Sequence, residues 1–446
     1  PGGVTAAREL ASAGKSVAII EQAHWGGVCL NRGCIPTKML LGATACGAQL
    51  RAHQRLKTLS GDVAVDYAAL RTRIDRFLKG SGQTLTKNLA ALGVTLLEGT
   101  GRLSGKGEVR FTARDGAEQL LACEHVVLAC GSSSAAFPGL TPDHDCVLDS
   151  TDLLRIPAIP DSLVIVGAGA IGLEMADFFA AMGCRVTVVE AAPHIVPLED
   201  ADIAKEMLRA VTKNGIECLE GVRAASLKTV GDHAELTLED GRAITAAKAL
   251  IAVGRTPNTA GLQAEKAGCR LNRLGFVEVD ACLEAAPGIH AVGDVNGLTL
   301  LAHAAEHQAA YVARRICGTE HGSYNPGPVP SCIYGSVELM RAGATARELL
   351  EKGIPVEVSR VPLSLNPIAQ AYAATAGMVK AVWSDGRLVG MAAVGHGVSH
   401  LITVAQLLIK DAYTVDRLHE IMFAHPTLDE IVPAALCAPR TPVTAA

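Results

Sequence analysis

The residues best placed for chemistry are two cysteines, Cys29 and Cys34, in Gly26-Gly27-Val28-Cys29-Leu30-Asn31-Arg32-Gly33-Cys34-Ile35-Pro36-Thr37-Lys38. A disulfide needs Cα atoms roughly 4.4–6.8 Å apart, which this spacing on one regular helix does not meet. The thiols can meet if Cys29 lies in the glycine-rich loop and Cys34 in the first turn of the helix that follows. Gly26, Gly27 and Gly33 supply backbone freedom, and Pro36 suits a first helical turn, where its missing N–H costs nothing. A thiol at a helix N-terminus is favoured as thiolate, the reactive form. Such a pair makes a dithiol/disulfide switch. The alternative is two buried free thiols beside a turn.

Elements that could position the pair flank it. Pro1-Gly2-Gly3-Val4 leads into a helical pattern over Thr5 to Ala13, closed by Gly14. A buried strand follows over Ser16 to Ile20, ending at Glu21. This pattern predicts the back half of a Rossmann βαβ unit, with its first strand expected upstream of Pro1 and Glu21 placed to bind an adenosine ribose hydroxyl. A second unit is complete: an apolar strand over Ser162 to Val166, the turn Gly167-Ala168-Gly169-Ala170-Ile171-Gly172, a helix to Met182, and a strand over Arg185 to Val189 with Glu190 at its tip. Glycines there let a pyrophosphate approach the helix N-terminus. Glu190 is placed for a ribose 2′-hydroxyl and would repel a 2′-phosphate, so NAD is expected rather than NADP. From about Gly327 the character changes. Strands over Met378 to Trp383 and Leu388 to Val394 flank a hairpin signal, Ser384-Asp385-Gly386-Arg387, and helices are expected from Ser399 to Lys410 and Asp416 to Met422.

The cysteine segment, followed by Ile35-Pro36-Thr37-Lys38, closely resembles the redox-active disulfide of the FAD-dependent pyridine nucleotide–disulfide oxidoreductases, in the branch that oxidises dihydrolipoamide. The resemblance implies an α/β fold with two Rossmann-like dinucleotide-binding domains, for FAD and NAD, and a C-terminal α+β dimerisation domain. The corresponding division is 1–143 for FAD, 144–270 for NAD, 271–326 returning to the FAD domain, and 327–446 for dimerisation. Catalytic roles fall on Cys29, Cys34 and the pair His425 and Glu430 in Phe423-Ala424-His425-Pro426-Thr427-Leu428-Asp429-Glu430. Family members have His-Ala-His-Pro-Thr-x-x-Glu here, the second histidine acting as base and the glutamate orienting it. An imidazole titrates near neutrality, and a carboxylate on one ring nitrogen fixes its tautomer. Phe423 departs from the family's first histidine.

On the FAD side the resemblance implies contacts from Gly2, Gly3, Glu21, Gly26, Gly27, Val28 and Lys38. It adds a turn at Gly99-Thr100-Gly101, the segment Cys130-Gly131-Ser132 (a threonine usually replaces Cys130), Gly254, Asp294 on a ribityl hydroxyl, and Leu300-Leu301-Ala302-His303 near the flavin. On the NAD side it implies Gly167, Gly169, Ile171, Gly172, Glu190 and Ala224. Lys38 and Glu174 form a further candidate pair that would tune the flavin and gate nicotinamide access.

Bulk properties agree with a compact enzyme. The 446 residues are 49% hydrophobic and 19% charged, enough for two or three domains with sizeable cores. A net charge of −5 and 3% aromatics offer neither basic field nor stacking platform for nucleic acid. Apart from the motif pair, the 13 cysteines are scattered singly, as expected of free thiols in a reducing cytoplasm, and none forms a zinc-type cluster with histidines. The apolar stretch from Leu163 to Met182 is interrupted by Glu174 and Asp177 and does not read as a membrane span. The expected partners are a second copy of the chain and a lipoyl-bearing carrier protein or free dihydrolipoamide. Two other readings stay open: a reductase of another disulfide, and a flavin-free binding or scaffold protein. Gly335-Ser336-Val337-Glu338, where relatives carry Thr-x-Pro-Glu, is one motive for the second.

Overall fold

The computed structural model describes residues 1–444. The chain folds as two compact units, one from 1–36, 71–135 and 254–326, the other from 37–70, 136–253 and 327–446. Among the described residues no helix is long and apolar enough to cross a membrane.

In the first unit the opening helix spans Gly2–Ser12 and packs its small residues in two directions. Ala6 joins Leu283, Val292, Ala309 and Val312, while Ala7 joins Leu89 and Val94. The strand Ala18–Glu21 pairs in parallel with Thr95–Gly105, which continues antiparallel into Glu108–Ala113 and Glu118–Ala122. Glu21 therefore ends the strand itself. Gly99-Thr100-Gly101 does not form the expected turn but lies within the strand Thr95–Gly105. A Cβ at Gly99 would stand 2.1 Å from the Thr112 carbonyl oxygen. The glycine is required by close strand approach, which imitates a turn signal in sequence. A second small sheet pairs Val126–Leu128 in parallel with Ile289–Ala291.

His290, on that last strand, is buried, and neither ring nitrogen has a hydrogen-bond partner. Its ring stacks on His125 with centroids 5.8 Å apart. Burial lowers its pKa, with Glu284 opposing. An unfolded histidine takes up a proton below about pH 6.5, whereas the folded one resists it. Stability from this site is therefore complete above that pH and lost as pH falls below it. His290→Leu is expected to raise the urea midpoint more at pH 5.5 than at pH 7.5 (about one unit either side of that value). Equal changes at both pH values would contradict this account.

The second unit contains a five-stranded, all-parallel sheet in the order Glu217–Glu220, Arg185–Glu190, Ser162–Val166, Lys248–Ile251, Val147–Leu148. Its central strand is the continuous apolar run of the sequence. Val164 and Ile165 are fully buried, as a parallel strand covered on both faces requires. A six-stranded antiparallel sheet runs Ser331–Ile333, Glu338–Gly343, Arg387–Gly395, Gly377–Ser384, Val356–Pro362, Thr441–Val443. Asp385 and Gly386 both have positive φ (49° and 71°), the I′ hairpin geometry that their sequence signals. Helices Ile402–Lys410 and Ile431–Cys437 cover this sheet around Trp383, whose indole N–H donates to Ser359 Oγ at 2.9 Å. Two helical expectations change at this end. The first begins with a 3₁₀ turn, Val398–Leu401, and Asp416 to Met422 is replaced by a 3₁₀ helix, Val415–Glu420. Val415 and Leu418 are only partly buried against the C-terminal core, too little cover to hold a regular α-helix.

An ion cluster ties the start of the helix Ala201–Lys213 to the six-stranded sheet. Lys380 Nζ donates to Asp200 Oδ2 and Asp202 Oδ1, both at 2.7 Å, and Arg360 Nε reaches Asp202 Oδ2 at 2.6 Å. Burial alone would raise the Asp202 pKa, but the two cations outweigh it and hold the carboxyl below its usual range.

Candidate active site

Cys29 sits in a short helix, Gly27–Arg32, and Cys34 opens the helix Cys34–Arg55. The first placement corrects the expectation of a loop. Gly26 (φ 95°) and Gly27 (φ 63°) make the turn and helix begins at once, so the break between thiols falls on Gly33 (φ −151°, ψ −110°). A Cβ on Gly33 would stand 3.1 Å from the Val28 carbonyl oxygen, and one on Gly26 2.5 Å from Leu30 Cδ2. The break brings the thiols into hydrogen-bond contact. That contact, with burial, pushes the Cys29 pKa up. Asn31, unnoticed as a site residue in the sequence, fastens the preceding loop by donating to the carbonyls of Trp25 (3.0 Å) and Gly27 (2.9 Å). Trp25 in turn donates to Glu98 at 3.1 Å.

The same unit gathers the residues expected around a flavin dinucleotide. Gly2 and Gly3 form the first turn of Gly2–Ser12, which has no side-chain cap. A Cβ on Gly2 would meet Val292 Cγ2 at 3.1 Å, and one on Gly3 would meet Ala129 Cβ at 3.3 Å. An uncapped helix start stripped of side chains fits a pyrophosphate. Glu21 Oε1 accepts from the Ala23 N–H at 2.7 Å. Gly101 lies on the adjoining strand, where a Cβ would press on Ile20 Cδ1 at 3.0 Å. Cys130 is exposed, and its carbonyl accepts from Asn258 at 2.9 Å. Ser132 is buried and donates to Asp294, while Arg255 Nε donates to Ser132 Oγ at 2.6 Å. Gly254, just before that arginine, has φ 128° and accepts from the Ala135 N–H. The turn carrying Asp294 hangs on Gln308, which is buried and accepts from Gly293 N–H (2.7 Å) and Asn296 (2.9 Å). Arg255 and Gln308 are positioning residues to which sequence reasoning had assigned no role. Leu300 is exposed, Leu301 is the N-cap of the helix Ala302–Ile316, and Ala302 and His303 begin it.

In the second unit the phosphate turn has its expected form. A Cβ on Gly167 would stand 2.4 Å from the Ala252 carbonyl oxygen, and one on Gly172 2.0 Å from that of Gly167. A Cβ on Gly169 would meet nothing within 4 Å. That open space faces the uncapped start of the helix Ala170–Ala181, which includes Ile171, and it fits a pyrophosphate. Glu190 accepts from Ala168 N–H at 2.7 Å and Ala192 N–H at 2.8 Å. Ala224 opens the strand Ala224–Val230 and is half-buried.

Lys38 and Glu174, 136 positions apart, form a bidentate ion pair with Nζ to oxygen distances of 2.8 and 2.7 Å. Burial raises the Glu174 pKa, and Lys38 opposes it. The Tyr334 N–H donates to Glu174 at 3.1 Å, and its ring lies under the ammonium, 4.6 Å from ring centre to Nζ. The unusual Gly335-Ser336 has its own explanation. Ser336 donates from backbone N–H (2.8 Å) and hydroxyl to buried Asp177, one turn beyond Glu174, and a Cβ at Gly335 would stand 3.1 Å from that carboxylate. The substitution accommodates an acid.

His425 Nδ1 meets Glu430 Oε1 at 2.9 Å, and Glu430 Oε2 accepts from the Thr427 N–H at 3.0 Å. The Thr427 N–H and then His425 hold the Glu430 carboxyl below its ordinary range. With Nδ1 committed, Nε2 is the nitrogen available as base. The imidazole is 72% exposed. Phe423 is partly buried and packs against the C-terminal core.

This geometry agrees with what known proteins share with the chain. The family model for pyridine nucleotide-disulphide oxidoreductases matches residues 1–309, and that for the family's dimerisation domain matches residues 329–436. A dihydrolipoyl dehydrogenase of Chlamydia muridarum is 32% identical, covering 99% of this chain and 96% of its own length. One from Chlorobaculum tepidum is 33% identical, with 97% and 93% covered. The crystal structure of LpdA from Mycobacterium tuberculosis superimposes with a TM-score of 0.89 at 27% identity, covering 98% of this chain and 97% of that one. With both family models and these full-length relatives in agreement, the chain belongs to the pyridine nucleotide-disulphide oxidoreductase family.

Proposed function

We propose that the protein oxidises the dithiol of a dihydrolipoyl group and reduces NAD⁺, working as a homodimer with FAD. The observation that carries this reading is the contact of Cys29 and Cys34 across Gly33 within Cys-Leu-Asn-Arg-Gly-Cys-Ile-Pro-Thr-Lys. FAD would be held by Gly2, Gly3, Glu21, the Cys130 to Ser132 segment and Asp294, and NAD by the turn from Gly167 to Gly172 with Glu190. The corresponding domains are 1–143, 144–270, 271–326 and 327–446, and the scattered free thiols favour a reducing, cytoplasmic setting.

In the oxidised enzyme one substrate thiol loses its proton to His425 Nε2, in our reading from the partner subunit. The resulting thiolate attacks Cys29 Sγ; a substrate–Cys29 disulfide forms and Cys34 leaves as thiolate. The second substrate thiol then attacks the substrate sulfur of that bond, closing the lipoyl disulfide. Cys29 departs carrying the second proton. Two electrons now reside in the cysteine pair, one proton on Cys29 and one on His425. Cys34 opens the helix Cys34–Arg55, and that N-terminal position supports a thiolate there. FAD, when bound beside the pair, would supply the redox acceptor that links it to NAD⁺.

Steady-state oxidation of dihydrolipoamide with NAD⁺, set against reduction of glutathione disulfide with NADPH, tests the reading. The first reaction is expected to dominate by kcat/KM. Dominance of the second would replace the substrate assignment.

A further inference from the structure

We propose that Glu220 is a second coenzyme-specificity residue, acting beside Glu190 to exclude the 2′-phosphate of NADP. The inference deepens the reading of NAD as electron acceptor and rests on it.

Three observations carry it. Strands Arg185–Glu190 and Glu217–Glu220 are parallel, and Glu220 is in register with Glu190. Residues paired in parallel register point to the same face, about 4.8 Å apart along the hydrogen-bonding direction. Two carboxylates therefore stand side by side where one is enough to accept a ribose hydroxyl. Next, the loop leaving Glu190 is Ala191-Ala192-Pro193-His194-Ile195-Val196-Pro197, which contains no lysine or arginine. A 2′-phosphate here would depend on backbone N–H donors. Two of those donors are already engaged by carboxylates. Ala192 N–H donates to Glu190 Oε1 at 2.8 Å and Ile195 N–H to Glu220 Oε1 at 2.7 Å. Finally, Gly221 N–H to Ala192 O (2.8 Å) and Val222 N–H to Glu190 O (2.9 Å) lash the loop to the strand bearing Glu220. The loop cannot turn its N–H groups toward an incoming phosphate without breaking these bonds. Glu220 thus acts twice, by adding a negative charge and by occupying an anion-binding donor. NAD meets neither obstacle, since its 2′-hydroxyl is neutral and can donate to a carboxylate.

The test uses the flavin-loaded protein and equilibrium titration with NAD⁺ and NADP⁺, alongside kcat/KM for each. Glu220→Gln keeps an oxygen for the Ile195 N–H and removes the charge. The NADP⁺-to-NAD⁺ affinity ratio is expected to rise by about fivefold or more, and further in Glu220→Lys. Glu220 is only half-buried, so the gain should shrink when ionic strength rises from about 0.05 to 0.5 M. Equal shifts for the two coenzymes, or an unchanged ratio in both variants, would overturn the proposal while leaving NAD as the acceptor. Wild-type protein that prefers NADP⁺ would remove the underlying reading as well.

Discussion

Cys29→Ser is expected to lower dithiol-dependent NAD⁺ reduction by more than about 10⁴-fold. A serine oxygen at this position cannot form the exchangeable bond to sulfur on which substrate entry depends. The loss should be confined to one half of the cycle. Hydride exchange with the nicotinamide does not pass through the thiols, so oxidation of NADH by an artificial electron-accepting dye should continue at a comparable rate. Steady-state assays of both reactions on the same flavin-loaded preparation check this. Dithiol oxidation within tenfold of wild type would show that Cys29 is not the point of entry.

His425→Gln is the second large effect, expected at about 10²–10⁴-fold in kcat for dithiol oxidation. The side chain stays polar and of similar size, so the change isolates proton transfer. The wild-type rate should rise as the imidazole deprotonates and then level. Without the base, only substrate already present as thiolate reacts, and the rate should keep rising with pH toward the thiol pKa. Glu430→Gln should fall between the two proteins, because its amide can still bond Nδ1 but cannot stabilise the imidazolium. A pH–rate profile of the same shape in wild type and His425→Gln would dismiss the imidazole as base.

Local patterns exposed much of this arrangement in the sequence. Glycines whose Cβ would collide with backbone, such as Gly167 and Gly172, declare themselves because a tight strand–turn–helix admits nothing else. The Cys29/Cys34 pair was legible through its flanking motif, although Cys29 lies in a short helix where a loop was expected. Long-range partners were less visible. Lys38 and Glu174 were only a candidate pair until the fold joined them across 136 positions. Arg255 and Gln308 act through Ser132 and through the turn carrying Asp294, contacts that local spacing does not reveal. Gly99-Thr100-Gly101 misled because a glycine demanded by close strand contact looks the same as one demanded by a turn. Gly335-Ser336 read as decay of a motif, yet Ser336 is matched to Asp177 in a distant helix. Compensation of this kind needs both partners in view.

The break at Gly33 bears on the energetics of the couple. The two sulfurs are kept adjacent by the ends of two helices, so the reduced pair has little conformational freedom to surrender on ring closure. Each thiol experiences its neighbour at a very high effective molarity, as in a small cyclic dithiol. That favours the closed form and lowers the reduction potential. The backbone thereby makes the pair a willing electron donor once substrate has opened it.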